Sequence, residues 1–160
     1  HVFGWIENAT LEPWGVKVKS KLDTGALTSS LHARNIERFE KDGEEWVRFE
    51  VNVEDQDEDE KVSRKFERPL YRDVIIRGAG GEERRPVVLM EICFGDTVHE
   101  EQFSLENRSD MIYPVLIGRR TIQHLGVVDV TNTFMHEPQC DEDSPVEKFD
   151  KDNTDEDVGV

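Results

Sequence analysis

Lys21-Leu22-Asp23-Thr24-Gly25-Ala26-Leu27-Thr28-Ser29-Ser30-Leu31-His32-Ala33 is the stretch on which the reading of this chain turns. Just before it, Val16, Val18 and Leu22 alternate with Lys17, Lys19 and Lys21. That period-2 pattern predicts a half-buried strand. The strand delivers a carboxylate, Asp23, followed by a small hydroxyl residue and a glycine. The glycine permits close approach of a second backbone, the threonine can hydrogen-bond across it, and the aspartate points into the gap. The bland alternative is an ordinary strand-ending turn, which Asp and Gly also favour.

Working outward, the same alternation recurs. Val47, Phe49, Val51 and Val53 alternate with Trp46, Arg48, Glu50 and Asn52 after a turn at Asp42-Gly43. Asp73 to Arg77 and Pro86 to Phe94 flank Gly78-Ala79-Gly80-Gly81, which predicts a hairpin with a glycine tip. Val115-Leu116-Ile117 is a short apolar strand ending at Gly118; Arg119 to Leu125 can form two helical turns stopped by Gly126, and Val127 to Val130 returns as a strand. Many short strands and one short helix imply an all-β barrel or sandwich.

Composition narrows the function classes. Of 160 residues, 36 are acidic and 20 are Lys or Arg, for a net charge of −16. A nucleic-acid binder needs the opposite sign to displace phosphate counterions, and anionic lipid is disfavoured for the same reason. No apolar run reaches the ~20 residues of a membrane-spanning helix. Half of the net charge lies in residues 137–160, where ten acidic side chains face only Lys148 and Lys151. With Val146, Phe149 and Val158 as its bulky apolar anchors, this segment is expected to be a disordered acidic tail on a domain spanning 1–136. The acidic run Glu54 to Glu60 fails as a calcium loop, since a loop starting at Asp55 has Glu60 at its sixth position and Phe66 at its twelfth. The chain opens on His1, so its native start is expected further upstream, and location is left open between cytoplasm and periplasm. Spacing alone does not say whether Cys93 and Cys140 pair.

The order of parts — an Asp-Thr-Gly loop, a glycine-tipped flap, then Val115-Leu116-Ile117-Gly118-Arg119 entering a helix — resembles retropepsin-like aspartic proteases. A closer resemblance is to a bacterial, RimB-like family of retropepsin-like domains. It is often labelled "ATP-dependent zinc protease" and is associated with RimK-type glutamate ligases. The residues that carry this resemblance are Gly4-Trp5, Lys21 to Ala26 with Thr28 to Ala33, Trp46-Val47-Arg48-Phe49, Asn107-Arg108-Ser109-Asp110-Met111 and Leu116-Ile117-Gly118-Arg119. It implies a closed retropepsin-like barrel and peptide-bond hydrolysis. Asp23 would be the catalytic carboxylate, Thr24 its interchain hydrogen-bond partner and Gly25 the close-packing residue. Ala26, Leu27 and the flap residues Gly78, Ala79, Gly80 and Gly81 would line the substrate site. An aspartic dyad needs two carboxylates, and this chain has one Asp-Thr-Gly, so an active form must be a homodimer. An ATP-grasp glutamate ligase is the implied partner, and a peptide or protein the implied substrate. Leu27 stands where retroviral members carry an acidic residue, which deprives Arg119 of its usual partner.

The zinc and ATP parts of that label find no support in the residues. No two of His1, His32, His99, His124 and His136 lie four apart, and no Gly-Lys-Ser/Thr is present. His32 reads as a packing or hydrogen-bonding residue, Cys93 as a small hydrophobe, and Ser29 and Ser30 as strand hydroxyls without a catalytic base. No metal or cofactor is expected. Arg64, Lys65, Arg68, Arg72, Arg77, Arg84 and Arg85 surround the proposed flap, either as a solvated strand face or as a cleft attracting acidic peptides. Two readings of function follow: an aspartic endopeptidase, or an inactive peptide-binding or adaptor domain working with a ligase.

Overall fold

A computed structural model describes residues 1–107 and 113–160, so Arg108 to Met111 of the motif above lie outside the described residues. The strands are β1 (Val2–Gly4), β2 (Ile6–Glu12), β3 (Val16–Leu22), β4 (Ser30–His32), β5 (Arg34–Lys41), β6 (Glu44–Asp55), β7 (Glu60–Pro69), β8 (Arg72–Gly78), β9 (Gly81–Phe94), β10 (Thr97–Glu106) and β11 (Val115–Ile117). Helix α1 (Arg119–Leu125), β12 (Val127–Asp129) and β13 (Val146–Glu147) follow, and a single 3-10 turn spans Lys151–Asn153.

Six strands close on themselves. β10 pairs with β4, β4 with β11, β11 with β3, β3 with β2, β2 with β9, and β9 with β10 again. A closed ring leaves no sheet edge among its members, and its inward side chains form one core. Leu11, Val18, Leu31, Val88, Met90, Ile92, Phe103, Leu105 and Ile117 fill it. β11 lies between β3 and β4 and is buried throughout, which is why Val115-Leu116-Ile117 reads as a continuous apolar run rather than an alternation.

The antiparallel sheet β5-β6-β7 stands beside the ring. Val47, Phe49, Val51 and Val53 are buried in the alternation the sequence predicts, and Phe49 stacks on Phe66 with ring centroids 5.7 Å apart. β8 extends the ring's sheet outward from β9. In α1, Thr121, Ile122 and Leu125 are buried, and the helix stops at Gly126 (φ 146°), a conformation only glycine adopts without strain.

Residues 137–160, whose composition predicts disorder, follow a defined path over the surface. Cys140 is disulfide-bonded to Cys93, and β13 pairs in parallel with β10 at Val98 and His99. Phe149 meets Tyr71 edge-on at 5.4 Å, and its N–H donates to Glu100. Apolar burial is indeed small here. A covalent tie and polar donors on the barrel hold the segment instead, and composition does not reveal those.

Candidate active site

Asp23 follows β3 directly and is placed by β11. Leu22 lies opposite Ile117, and the Asp23 N–H donates to the Ile117 carbonyl at 2.8 Å. Its carboxylate then folds back: Oδ1 accepts the Gly25 N–H at 2.8 Å, while the Ala26 N–H donates to the Asp23 carbonyl at 3.1 Å. This is the turn that Asp and Gly favour, here holding the acid in one orientation. Asp23 is half-buried, whereas Thr24 and Gly25 are exposed.

The other side of the loop is clasped by the start of α1. The Arg119 N–H donates to the Ala26 carbonyl at 2.8 Å and the Arg120 N–H to the Leu27 carbonyl at 3.1 Å. Gly118 sits so close that a Cβ there would lie 2.7 Å from the Thr28 carbonyl carbon and 2.8 Å from the Leu27 oxygen. No side chain fits, so the glycine is dictated by backbone contact within the chain. Lacking an acidic residue at position 27, Arg119 donates from Nη1 to the Thr24 carbonyl at 2.9 Å, and Arg120 from Nη1 to Thr28 Oγ1 at 2.9 Å.

Behind this clasp runs a buried polar chain. The Gly118 N–H donates to Ser29 Oγ at 3.0 Å, and Ser29 Oγ lies 2.8 Å from Thr121 Oγ1. Thr121 hydrogen-bonds Glu101, whose Oε2 is 2.7 Å from His124 Nδ1. The hydrogen bond to Glu101 raises the His124 pKa above its ordinary value, and burial raises that of Glu101. Burial lowers the pKa of the neighbouring His99.

The structure assembles Asp23, Thr24, Gly25, Ala26 and Leu27 with Gly118, Arg119 and Arg120 into one unit. The flap residues lie elsewhere, at the tip of the β8-β9 hairpin, where Gly78 pairs with Gly81 and a Cβ on Gly78, Gly80 or Gly81 would meet nothing within 4 Å. Gly81 has φ 108°, so the tip requires glycine for its turn. The arginines of this arm are largely engaged: Arg77 with Glu82, Arg84 with Asp73, and Arg85 with Glu83 and Glu106. That pairing fits the strand-face reading of these residues better than a free cationic cleft.

A closed barrel carrying a single Asp-Thr-Gly loop clasped by a Gly-Arg helix start can now be set against known proteins. Residues 2–139 match the family described as RimB-like: Retropepsin-like aspartic endopeptidase RimB. The chain belongs to this RimB-like family. A crystal structure of a Legionella pneumophila protein of unknown function (DUF785) is similar, with a TM-score of 0.72 and 36% identity over 85% of this chain and 98% of that one. Two proteins named "Probable alpha-L-glutamate ligase" are also similar. The Shewanella pealeana protein is 34% identical over 118 residues, 73% of this chain, and the Desulfotalea psychrophila protein 35% identical over 113 residues, 70% of this chain. The chain spans about a quarter of the length of these relatives, 25% and 24%.

The zinc label attached to RimB-like proteins does not fit the donors present. Among the described residues no group of three His, Cys, Asp or Glu is arranged to hold an ion, and His99 and His124 already face Glu147 and Glu101. His32 is buried in β4. Sequence reasoning missed the hydrogen-bonding role of Ser29. It also missed Glu7, a fully buried carboxylate that accepts the N–H groups of Gly4, Met135 and His136. Glu7 shares the buried face of β2 with Ala9 and Leu11, and a glutamate there gives little sign in sequence that three backbone donors converge on it.

Proposed function

We propose that this RimB-like chain is an aspartic endopeptidase whose catalytic centre forms when two copies bring their Asp23 carboxylates together. The observation that carries this reading is the state of the Asp23 loop in a single copy. The acid is oriented by the Gly25 N–H, and Thr24 and Gly25 are exposed beside it. A Cβ on Gly25 would meet only the Asp23 carboxylate, at 3.1 Å. The fold of one copy thus gives little reason for glycine at position 25, whereas close approach of a second loop does.

Two carboxylates that face each other share one proton, because both cannot stay ionised at such short range. The ionised member takes a proton from a water held between them, and that water attacks the peptide carbonyl carbon. The protonated member gives its proton to the carbonyl oxygen. Collapse of the tetrahedral intermediate then breaks the C–N bond as one carboxyl gives its proton to the leaving nitrogen and the other carboxylate takes a hydroxyl proton from the intermediate, which restores the shared-proton pair. Ala26, Leu27 and the Gly78 to Gly81 hairpin would contact the peptide, with the hairpin closing over it to exclude water.

The kinship with glutamate ligases favours a second reading, in which the domain binds a peptide or a ligase partner without cleaving. Peptide cleavage by wild type and Asp23→Asn, measured from pH 3 to 8 with molar mass on the same samples, separates the two. Cleavage by a dimer that disappears in the variant supports the peptidase. A folded chain that cleaves nothing even at concentrations where molar mass shows a dimer supports the adaptor.

A further inference from the structure

We propose that residues 150–158 form an autoinhibitory strap that must leave helix α1 before a second copy can pair its Asp23 loop with this one. The inference rests on the two-copy reading above. It starts from α1, whose buried residues Thr121, Ile122 and Leu125 leave Arg119, Arg120, Gln123 and His124 on the outer face. All four are used by the strap. Arg119 Nε donates to the Val158 carbonyl at 2.9 Å, and Arg120 Nε donates to the Glu156 carbonyl at 2.8 Å and lies 3.1 Å from its carboxylate. Gln123 makes a two-way contact with the Asp155 backbone, donating at 3.0 Å and accepting at 3.1 Å. His124 Nε2 lies 3.3 Å from both the Asn153 carbonyl and Thr154 Oγ1.

The contact reaches the catalytic loop through single side chains. The same Arg119 that holds Val158 holds the Thr24 carbonyl, and the same Arg120 that holds Glu156 holds Thr28. Packing there is tight: a Cβ on Gly159 would lie 2.9 Å from Arg119 Nε. The strap also sets the charge of this face. Within the strap Asp150, Asp152, Asp155, Glu156 and Asp157 oppose only Lys151, and Arg119 and Arg120 beneath it offset part of that charge, so two closed copies would each present a net negative strap, which disfavours their pairing. The strap lies beyond residue 139, where the match to the RimB-like family ends. It is tethered through the Cys93–Cys140 disulfide and β13, so it stays close when it lifts.

Backbone groups of the strap supply most of the contacts; Gln123→Ala removes both contacts with the Asp155 backbone, and charge reversal at Glu156 replaces its pairing with Arg120 by repulsion. If the strap is closed roughly nine-tenths of the time, each copy is competent about a tenth of the time. Pairing that needs both copies open then strengthens by up to about a hundredfold on release. The experiment compares full-length wild type with Gln123→Ala/Glu156→Lys, and with Asp155→Lys/Glu156→Lys/Asp157→Lys should the first variant stay closed. Amide hydrogen exchange at 153–158 reports release, sedimentation reports the dimer dissociation constant, and peptide cleavage is followed in parallel. Faster exchange with at least tenfold tighter dimerisation supports the strap. Faster exchange with an unchanged dissociation constant overturns it, as does a wild-type dimer whose strap amides stay protected. In both of those cases Asp23-dependent cleavage would leave the peptidase reading standing. Released chains that neither pair nor cleave would refute the two-copy reading, and the strap with it.

Discussion

Replacing Ser29 by alanine should cost about 2 kcal/mol of folding stability, although the residue lies outside the Asp-Thr-Gly triplet. Its side chain is 1% exposed, and its Oγ is the acceptor for the Gly118 N–H in a region no water reaches. Alanine leaves that donor buried and unpaired, a loss of roughly 1–3 kcal/mol. Thr121 loses one partner but keeps Glu101, so its share is small. For a chain of this size about 2 kcal/mol corresponds to roughly 4–8 °C in Tm. Urea unfolding should show a lower midpoint with an unchanged slope, since the surface exposed on unfolding is the same. A double-mutant cycle with Thr121→Val sharpens the test, because members of one hydrogen-bond chain couple by 0.5–3 kcal/mol or so. A loss below about 0.5 kcal/mol for Ser29→Ala, or strict additivity with Thr121→Val, would refute the claim that these hydrogen bonds hold the α1 start against the Asp23 loop.

Glu7→Gln should destabilise by roughly 1–3 kcal/mol, because an amide NH₂ then faces backbone donors that the carboxylate accepts from; an unchanged urea midpoint would count against it. Cys140→Ser opens a closure spanning 47 residues, worth up to about 4 kcal/mol on the chain-entropy estimate, and amide exchange should rise across 140–158; unaltered exchange would show that the disulfide does not anchor this segment. The stability that His124 gains from Glu101 should be fully present below about pH 6.5 and lost as pH rises through its raised folded pKa, while the contribution of His99, lowered by burial, is present above that pH and lost on acidification. Histidine NMR titration should therefore place His124 above His99, and Glu101→Gln should bring His124 down; an unmoved His124 would show that Glu101 is not the cause.

Much of the fold was legible because it depends on periodicity and turn chemistry. The β3 and β6 alternations, the glycine-tipped hairpin and the Gly118-to-Gly126 helix all emerge where local pattern requires them. Ring closure was less legible, since the pairing of β9 with both β2 and β10 is non-local. In the site, Asp23 and Gly25 announce themselves by spacing, but the clasp does not. Position 27 offers Arg119 no acidic side chain, and in the structure its guanidinium takes backbone carbonyls instead, which sequence pattern does not encode. The path of 137–160 is not legible in the sequence for a related reason. Counting apolar side chains misses a disulfide and donors contributed by a distant helix.

The two glycines of the clasp indicate which parts of the site one copy completes. Gly118 is required within the chain, because the Leu27 and Thr28 backbone occupies the space a side chain would need. Gly25 lies at the exposed end of the same clasp, where a Cβ would disturb only the Asp23 carboxylate. Gly118→Ala should therefore disrupt folding, by about 1–3 kcal/mol or more for forced overpacking against rigid backbone. Gly25→Ala should leave the isolated fold nearly intact, yet weaken pairing of copies and suppress any Asp23-dependent cleavage. Urea unfolding and sedimentation on the two variants read these separately. If Gly25→Ala unfolds the chain as Gly118→Ala does, the glycine serves the loop itself and the argument for a second copy at Thr24 and Gly25 fails. If it folds but no longer pairs, the catalytic unit is the dimer, and the arginines that brace its loop are the same ones the strap engages.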